Sequence, residues 1–439
     1  MLNSLRKIIS FENPLRLLWH RFKGILAALA YGFPGKSMVV IGVTGTNGKT
    51  TTTHMIEHIL REGGKKVAML STADFSINGK KEPNLSKKTT MSPFKTQAFL
   101  RRCQREGAEY VVIEASSHAL HQSRLWGTAF NISVITNITH EHLDYHGTME
   151  KYAAAKRILF EMVEKNCRRP KSEKLQNIPH QNAFVLNTAD EFYKSFKKIH
   201  CPVNIEYGLK QGNLQASDPH YSKQGASFTL TYHKDSAKVN LPMMGEYNVE
   251  NALAATGAAL ACKLSLSNVA HALKSFEGVE GRMERIKSPR GCEVVVDFAL
   301  TPDALEKLYG VLRATTTGRL IGLIGSCGDR DKEKRPAMGE IVARHCDLTI
   351  VTDEEPYSED PMAIMEAILE GAKKVKTFGD DLLLIEDRYA AIEEAISRAG
   401  EGDTVVLTGM GSFTTRTMNS GPIEWDDRKV VREIIQKNS

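Results

Sequence analysis

The 439 residues exceed the length of one ordinary domain, so we expect two or three compact units, each with its own core. The formal charge of +6, from 58 basic and 52 acidic residues dispersed along the chain, argues against a nucleic-acid partner and suits anionic small molecules. Seven cysteines without a Cys-x-x-Cys pair favour free thiols in a reducing cytoplasm over a disulfide or zinc framework.

The first predicted element is a helix within Pro14–Phe33, in a short N-terminal segment assigned to residues 1–36. Its uncharged apolar run is too short to span a bilayer. We favour a helix whose apolar side packs on the body of the protein. The alternative is a basic amphipathic helix in weak contact with a membrane surface. The basic or titratable residues here are Arg16, His20, Arg21 and Lys23.

An apolar strand, a glycine-rich turn and a helix follow one another in residues 38–60. Gly45 and Gly48 permit backbone angles that let amide N–H groups converge on phosphate oxygens at the helix N-terminus. Lys49 adds a positive charge for the outer phosphates, and the Thr50 hydroxyl can bind magnesium. The spacing Gly-x-x-Gly-Lys-Thr-Thr is shorter than the Walker form, but strand, turn and helix agree. We therefore predict a nucleoside-triphosphate site.

The following stretch alternates strands with helices, which indicates a doubly wound parallel sheet whose ligands bind at the carboxyl ends of the strands. This α/β domain, with its phosphate-binding loop, is assigned to residues 37–287. The predicted strands are Val67–Ser71, Tyr110–Ala115, Ile132–Asn137 and Ala183–Asn187, and the helices include Lys95–Glu106 and Met149–Lys165. A surface loop is predicted at Cys167–Gln181, and two antiparallel strands at Ala226–Pro242.

A second strand-helix series begins at Glu293 and includes a helix at Pro302–Thr315. Because it has its own strands, we assign residues 288–439 to a separate, Rossmann-like α/β domain. The boundary is expected near Lys287–Gly291.

Three residues whose side chains could take part in the chemistry lie at or after the expected ends of strands in the first domain. Glu114 closes a strand and would be a natural magnesium ligand, although a capping role for the next turn is the structural alternative. His142 alone would more often be structural, and Lys156 would more often be a solvated helix lysine. The segment Ala115–His118 lacks the Gly-x-Ser-x-Gly elbow of serine hydrolases.

With these residues in view, the sequence resembles the Mur ligase family, and within it the members that add the third residue of the peptidoglycan stem peptide. The matching segments run in the family's order through residues 39–361. They are VTGTNGKTTT, the threonines Thr89 and Thr90, EASSHALHQSR, TNITHEHLDYHGTMEKYAAAK, GEYNVENALAA, GRMER, DFALTPDAL, GDRDKEKRPAMG and SEDP.

The resemblance implies an ATP-dependent amide ligation. The γ-phosphoryl group passes to the side-chain carboxylate of D-glutamate in UDP-MurNAc-L-Ala-D-Glu. The amine of a free amino acid then attacks the acyl phosphate and yields the amide, ADP and phosphate. Such chemistry needs positioning and charge neutralisation, and two Mg²⁺ ions are implied for it.

The resemblance also implies residue roles. The phosphates would be held by Gly45, Thr46, Asn47, Gly48, Lys49, Thr50 and Thr51. One Mg²⁺ would be bound by Thr50 and Glu114, and the other by His142 and by Lys156 as an N6-carboxylysine, in which CO2 has converted the cation into an oxygen ligand. The UDP-MurNAc-dipeptide would contact Thr89, Thr90, Ser116, Gln122 and Arg124. The nucleotide side would include Asn248, Asn251, Arg282 and Asp297, the last two reaching ATP as the domains close. The acceptor amino acid would meet Arg330, Glu355, Tyr357 and Gly409.

The sequence departs from the family pattern in several places. About 36 residues precede the first strand, so we expect either the N-terminal helix with a partner, or a carrier other than UDP, to replace the family's uridine-binding domain. The family's Asp-Asn-Pro-Arg motif, which recognises meso-diaminopimelate, reads Glu354-Glu355-Pro356-Tyr357. Because tyrosine has no guanidinium fork, L-lysine or another diamine is favoured. Gly409–Phe413 and Phe298–Pro302 also differ from the pattern.

Two alternatives stay open. One is a related ligase with another carrier or acceptor, such as a folylpolyglutamate-like enzyme. The other is a nucleotide-binding scaffold without catalysis, against which the intact Glu114, His142 and Lys156 argue. The sequence gives no indication of oligomeric state.

Overall fold

The computed structural model describes residues 13–437. Contacts within the chain divide it into two compact units between Glu277 and Gly278. Among the described helices, none combines the length and the apolar character that crossing a membrane requires.

The first unit is built from ten α-helices, one short 3-10 helix (Pro34–Ser37) and eleven strands over the described residues. Its helices are α1 (Pro14–Tyr31), α2 (Lys49–Glu62), α3 (Pro93–Arg105), α4 (Ser117–His121), α5 (Leu143–His146), α6 (Met149–Cys167), α7 (Glu173–Gln176), α8 (Tyr193–Lys197), α9 (Glu246–Ala261) and α10 (Leu266–Lys274). Its strands are β1 (Val39–Thr44), β2 (Val67–Leu70), β3 (Asp74–Ile77), β4 (Lys80–Pro83), β5 (Tyr110–Glu114), β6 (Phe130–Ile135), β7 (Ala183–Asn187), β8 (Val203–Gly208), β9 (Leu214–Ser222), β10 (Gly225–Tyr232) and β11 (Asp235–Leu241).

All eleven strands form one sheet in the order β11-β10-β9-β8-β7-β6-β1-β5-β2-β3-β4. The neighbours from β9 to β2 are parallel, which confirms the predicted α/β class. Antiparallel strands extend both edges. Of these, the predicted pair β10–β11 is confirmed, whereas β3, β4 and β9 are additions. The predicted loop at Cys167–Gln181 is wrong in part, because Ser172 caps the short helix α7 within it.

The register of the central strands positions the glycine-rich turn. Val39 pairs with Tyr110 and Val43 with Glu114, so β1 and β5 end side by side. All residues of β1 are buried because the sheet is covered on both faces. The turn after β1 therefore lies next to the last residue of β5, at the carboxyl edge of the sheet.

Helix α1 begins after Asn13, whose side chain accepts a hydrogen bond from the Leu15 N–H at 2.9 Å. Its buried residues are the small Gly24, Ala27 and Ala28. Leu17 and Ile25 are half-buried, but six other large apolar side chains of the helix are exposed. The favoured interpretation, in which the apolar side packs on the protein, is wrong for these six. These small residues let the helix backbone approach the protein closely, and the face that carries the six large apolar side chains is left exposed to solvent.

The second unit has a six-stranded sheet in the order β12-β13-β17-β14-β15-β16 and a two-stranded ribbon, β18-β19. Its strands are β12 (Glu284–Lys287), β13 (Glu293–Val296), β14 (Leu320–Ile324), β15 (Leu348–Val351), β16 (Leu382–Leu384), β17 (Thr404–Leu407), β18 (Thr415–Met418) and β19 (Gly421–Glu424). Its helices are α11 (Pro302–Thr315), α12 (Lys334–His345), α13 (Pro361–Ala372), α14 (Arg388–Ser397) and α15 (Asp427–Lys437). Only β12 is antiparallel to its sheet neighbour. Since β12 pairs with β13, it belongs to this unit although it precedes residue 288.

Candidate active site

The glycine-rich turn between β1 and α2 depends on two glycines with positive φ, 149° at Gly45 and 80° at Gly48. A Cβ on Gly45 would overlap the Thr136 hydroxyl, and one on Gly48 would overlap the side-chain oxygen of Asn251. Neither position therefore accepts a larger residue without displacing its neighbour. Asn137 holds the turn as well, because its side-chain oxygen accepts the Asn47 N–H at 2.9 Å.

Lys49 is the first residue of α2 and its ammonium folds back over the turn, donating to the Thr46 carbonyl at 2.7 Å. The Thr46 hydroxyl lies 3.1 Å from the Tyr152 hydroxyl. Thr51 is buried in the first helical turn. The turn thus places a positive charge and a helix N-terminus together, as a phosphate site requires.

The Thr50 hydroxyl donates to both carboxylate oxygens of Glu114, at 3.1 Å each. Glu114 also accepts the Thr72 N–H at 2.8 Å and the Thr72 hydroxyl at 3.0 Å. Both Thr50 and Glu114 are buried. A hydroxyl and a carboxylate thus converge beside the phosphate-binding turn, which is the oxygen-rich donor set that Mg²⁺ prefers.

Lys156 lies on α6 and is 1% exposed, so it is not the solvated helix lysine of the structural alternative. Its amine donates to the Gly45 carbonyl at 2.6 Å and lies 4.2 Å from the centre of the Tyr152 ring. Burial, together with the nearby Lys49, lowers the pKa of the Lys156 amine well below its usual range. The structure therefore brings this lysine to the turn.

His142 is placed less centrally than the other predicted metal ligands. It precedes α5 with a positive φ of 56°, and its side chain is 41% exposed. Its ring lies 4.6 Å from the His118 ring and 6.3 Å from the Tyr152 ring, between centroids. Within residues 13–437, no group of three or more His, Cys, Asp or Glu side chains is arranged to hold a metal ion.

The predicted dipeptide-binding residues form one connected group. Thr90 donates to the Glu114 carbonyl at 2.9 Å and accepts the Ser116 N–H at 3.1 Å. Arg124 donates to the Thr90 carbonyl at 3.2 Å and to the Gln122 side chain at 2.6 Å. Thr89 joins through the Thr72 hydroxyl at 3.1 Å. The group therefore joins Glu114 at two points, through Thr90 at the main-chain carbonyl and through Thr89 and Thr72 at the carboxylate.

Asn251, on helix α9, reaches the turn, and Asn248 on the same helix contacts Asn251. The Asn251 amide donates to the Asn248 side-chain oxygen at 3.2 Å, and its own oxygen accepts the Thr52 hydroxyl at 3.3 Å. Asn251 also faces Gly48. Both asparagines therefore lie at the edge of the predicted nucleotide site.

The second unit holds the remaining predicted residues. Arg282 stacks on Phe298, with 4.1 Å between guanidinium carbon and ring centre. Asp297 accepts the N–H groups of Met283 and Ala299, each at 2.7 Å. Burial raises the pKa of the Asp297 carboxyl, and Arg282 opposes that rise.

The predicted acceptor residues form a second group in that unit. The Arg330 guanidinium lies 5.7 Å from the Tyr357 ring. The Glu355 carboxylate is buried and accepts the Thr417 N–H at 2.7 Å. Gly409 has φ of 104°, and a Cβ there would overlap the carboxylate of Glu354.

Several residues at the site were not predicted from the sequence. Thr72 holds Glu114, Tyr152 contacts both Thr46 and Lys156, and Thr136 with Asn137 supports the turn. Thr72, Thr136 and Asn137 follow the ends of parallel strands, which was the available signal. Tyr152 offered none, since an aromatic residue on a helix is ordinarily part of the core.

Fold and site together define an α/β protein with a phosphate-binding loop. The sequence pattern of the Mur ligase middle domain matches residues 43–259, and that of the Mur ligase glutamate ligase domain matches residues 281–411. The chain belongs to the Mur ligase family, which confirms the resemblance.

The chain is similar to two ligases in sequence and to two solved structures in fold. It is 40% identical to the UDP-N-acetylmuramyl-tripeptide synthetase of Roseiflexus sp. (strain RS-1), over 93% of this chain and 81% of that protein. It is 39% identical to the UDP-N-acetylmuramoyl-L-alanyl-D-glutamate--2,6-diaminopimelate ligase of Syntrophomonas wolfei, over 94% and 81%. A solved structure of a ligase with the latter name superposes with a TM-score of 0.62 at 32% identity, over 91% and 79%. Folylpolyglutamate synthase of Mycobacterium tuberculosis superposes with a TM-score of 0.72 at 18% identity, over 89% and 92%, which shows a shared fold alone.

Proposed function

We propose that this protein is an ATP-dependent, ADP-forming ligase. It joins an amino acid to the D-glutamate side-chain carboxylate of UDP-MurNAc-L-Ala-D-Glu in peptidoglycan precursor synthesis. The γ-phosphoryl group of ATP activates that carboxylate as an acyl phosphate, and the incoming amine displaces phosphate. Family membership and the names of the relatives support the reaction class.

The observation that carries the proposal is the convergence of Thr50, Glu114 and Lys156 on the turn that ends in Lys49. The turn's N–H groups and Lys49 bind and orient the phosphates. Thr90 of the dipeptide-binding group lies one hydrogen bond from the Glu114 main-chain carbonyl, so a bound carboxylate would be held near the phosphate to be transferred.

The donor set at Glu114 fits a magnesium ion, because a hydroxyl and a buried carboxylate share one hydrogen-bonded cluster. Thr50 and Glu114 would hold one Mg²⁺, and His142 with a carboxylated Lys156 would hold a second. When bound, these ions neutralise charge on the phosphoryl group.

The environment of Lys156 supports carboxylation of its amine. A neutral amine attacks CO2 and releases one proton as the N6-carboxylate forms. Burial favours the neutral amine. An intact-mass measurement in bicarbonate buffer, followed by peptide mapping after gentle handling, should find about 44 Da added at Lys156, the mass of one CO2. Full ligase activity in Lys156→Ala would remove the residue from the mechanism.

The acceptor is a diamino acid, with L-lysine favoured over meso-diaminopimelate. Tyr357 stands where the family motif has an arginine, so the guanidinium fork for a distal carboxylate is missing at this position. Glu355 adds negative charge next to it, although one of its oxygens already accepts the Thr417 N–H. Arg330 is assigned to the α-carboxylate of the acceptor.

We propose that the reaction takes place in the cytoplasm, and the seven cysteines, all free thiols in the structure, suit a reducing compartment. The predicted weak contact of the N-terminal helix with a membrane surface also stays a proposal.

The decisive experiment measures phosphate release from ATP and identifies the product by mass. Release should require both UDP-MurNAc-L-Ala-D-Glu and an amino acid from a panel that includes lysine, ornithine and meso-diaminopimelate. A folate monoglutamate with glutamate serves as the control pair for the folylpolyglutamate-like alternative. Turnover of folate monoglutamate with glutamate would overturn the assignment. So would ATP hydrolysis at a rate that none of the added substrates changes.

A further inference from the structure

Helix α1 presents a row of large apolar side chains to the outside, which we name the apolar stripe. Its members are 41% to 75% exposed: Leu15, Leu18, Trp19, Phe22, Leu26 and Leu29. Their separations of three or four residues place them on one face of the helix along its whole length. A continuous exposed apolar surface of this kind marks an interaction site.

The orientation of the apolar stripe is imposed by packing on the opposite face. Gly24, Ala27 and Ala28 are buried there. A Cβ on Gly24 would lie 2.7 Å from the Ser123 carbonyl and 2.9 Å from the Trp126 Cβ, so the helix backbone is pressed against this segment. The helix therefore cannot turn its bulky face inward without losing that close fit.

The charges carried by helix α1 itself are of one sign. Helix α1 contains Arg16, Arg21 and Lys23, and the sequence has no aspartate or glutamate from Asn13 through Ile56. On a helical projection, Arg16 and Lys23 flank the stripe on one side and Arg21 flanks it on the other. An apolar face bordered on both sides by cations is complementary to an anionic lipid surface.

The aromatic residues support the same partner. The Trp19 and Phe22 rings are stacked with 5.8 Å between their centroids, and the Lys23 amine lies 5.5 Å from the Trp19 ring. Tryptophan next to lysine is favoured at the level of lipid headgroups, where the ring is partly desolvated and the ammonium reaches phosphate.

A second copy of the chain fits less well. Pairing two apolar stripes would bring the flanking cations of both helices together, and neither helix has an acidic residue to pair with them. An anionic bilayer would offset that repulsion, since its phosphates carry the opposite charge.

We infer that α1 docks this protein on the surface of an anionic bilayer, with the apolar stripe inserted at the boundary between headgroups and acyl chains. Because α1 packs on Ser123 and Trp126, which border Arg124, the bilayer would lie close to the predicted dipeptide-binding residues. The inference does not depend on the ligase reaction, and its test has a separate readout.

The test is sedimentation of the full chain with vesicles of phosphatidylcholine alone or with about 30% phosphatidylglycerol, a content that gives a clear negative surface potential. Binding should require the anionic lipid and weaken as salt is raised. The variant Leu18→Ser/Trp19→Ser/Phe22→Ser should lower the partition coefficient about tenfold or more. Arg16→Gln/Arg21→Gln/Lys23→Gln should lose the preference for anionic vesicles.

The matched control is Val375→Ser/Phe378→Ser, since these side chains are 47% and 54% exposed on the second unit. It should bind vesicles like the natural sequence. Unchanged melting temperatures would show that the exposed substitutions leave folding intact. Equal vesicle binding by the stripe variant and the natural sequence would overturn the inference. So would a dimer in sedimentation velocity that the stripe variant abolishes while neither protein binds vesicles.

Discussion

The Thr50 hydroxyl donates to both oxygens of the Glu114 carboxylate, although the two residues are 64 positions apart in the sequence. Strands β1 and β5 create this contact, because Val43 pairs with Glu114 at the carboxyl edge of the sheet. The contact links the phosphate-binding turn to the strand that leads into the dipeptide-binding residues.

Removing the Glu114 carboxylate should abolish most activity. We expect Glu114→Gln and Thr50→Ala each to lower kcat about 100-fold or more. Each substitution removes an oxygen atom that is proposed to bind Mg²⁺ at the phosphate site. Thr50→Ser, which keeps the hydroxyl, is the control and should retain most activity. The measurement is ADP formation with both substrates saturating. Near-normal kcat in Glu114→Gln would exclude the proposed role.

Substitution of Gly48 should cost more than substitution of a glycine with similar backbone angles in open space. Gly48 has φ of 80° and faces the Asn251 oxygen, whereas Gly64 has φ of 75° and no heavy atom within 4 Å. Gly64→Ala should lose about 1–2 kcal/mol of unfolding free energy through backbone strain. Gly48→Ala should lose about 1–3 kcal/mol more by steric overlap, and should weaken ATP binding. Denaturant unfolding measures the change in unfolding free energy, and nucleotide titration measures the change in ATP affinity. Equal destabilisation of the two variants would contradict the role of Asn251.

The buried Glu354 should make stability fall as pH rises. Burial raises the pKa of its carboxyl from 4.5 to about 7. Between these values the folded state retains a proton that the unfolded state has lost, so the unfolding free energy decreases with increasing pH. Over that window the loss approaches about 3 kcal/mol.

The glutamine side chain of Glu354→Gln is neutral at every pH. We therefore expect the unfolding free energy of this variant to depend less on pH, even if its value at any one pH also changes. The exposed Glu424→Gln is the control for loss of one carboxylate. Chemical denaturation between pH 4.5 and 7 would test the prediction. Parallel profiles for Glu354→Gln and the natural sequence would show that the carboxyl is charged throughout.

Restoring an arginine at the acceptor site should alter the choice of amino acid. Tyr357→Arg introduces a guanidinium beside Glu355. The φ at residue 357 is 53°, and we expect the arginine to keep the backbone conformation of the tyrosine that it replaces. We expect kcat/KM for meso-diaminopimelate relative to lysine to rise about tenfold or more, since the introduced guanidinium can form a bidentate pair with the distal carboxylate of meso-diaminopimelate. Tyr357→Phe controls for loss of the hydroxyl. An unchanged ratio would place acceptor recognition elsewhere.

Much of the site could be predicted because its chemistry is local in the chain. Gly45, Gly48 and Lys49 specify a phosphate-binding turn through backbone angles and one charge, which need no distant partner. The position of Glu114 required only that parallel strands end at one edge, whereas Lys156 lies on helix α6 and its place at the site was implied by the resemblance alone. Thr72 and Tyr152 escaped prediction because their roles exist only in contact with Glu114 and Lys156.

The order of residues is enough to specify the phosphate-binding turn, the alternation of strands and helices, and the family, since each depends on local spacing or on the order of motifs. Packing in the folded protein sets which side of α1 faces inward, because an amphipathic pattern does not reveal that Gly24 and its small neighbours fit more closely against Ser123 than bulky side chains would. It also decided that Lys156 is buried at the Gly45 carbonyl, since desolvation depends on what the whole fold places around an amine.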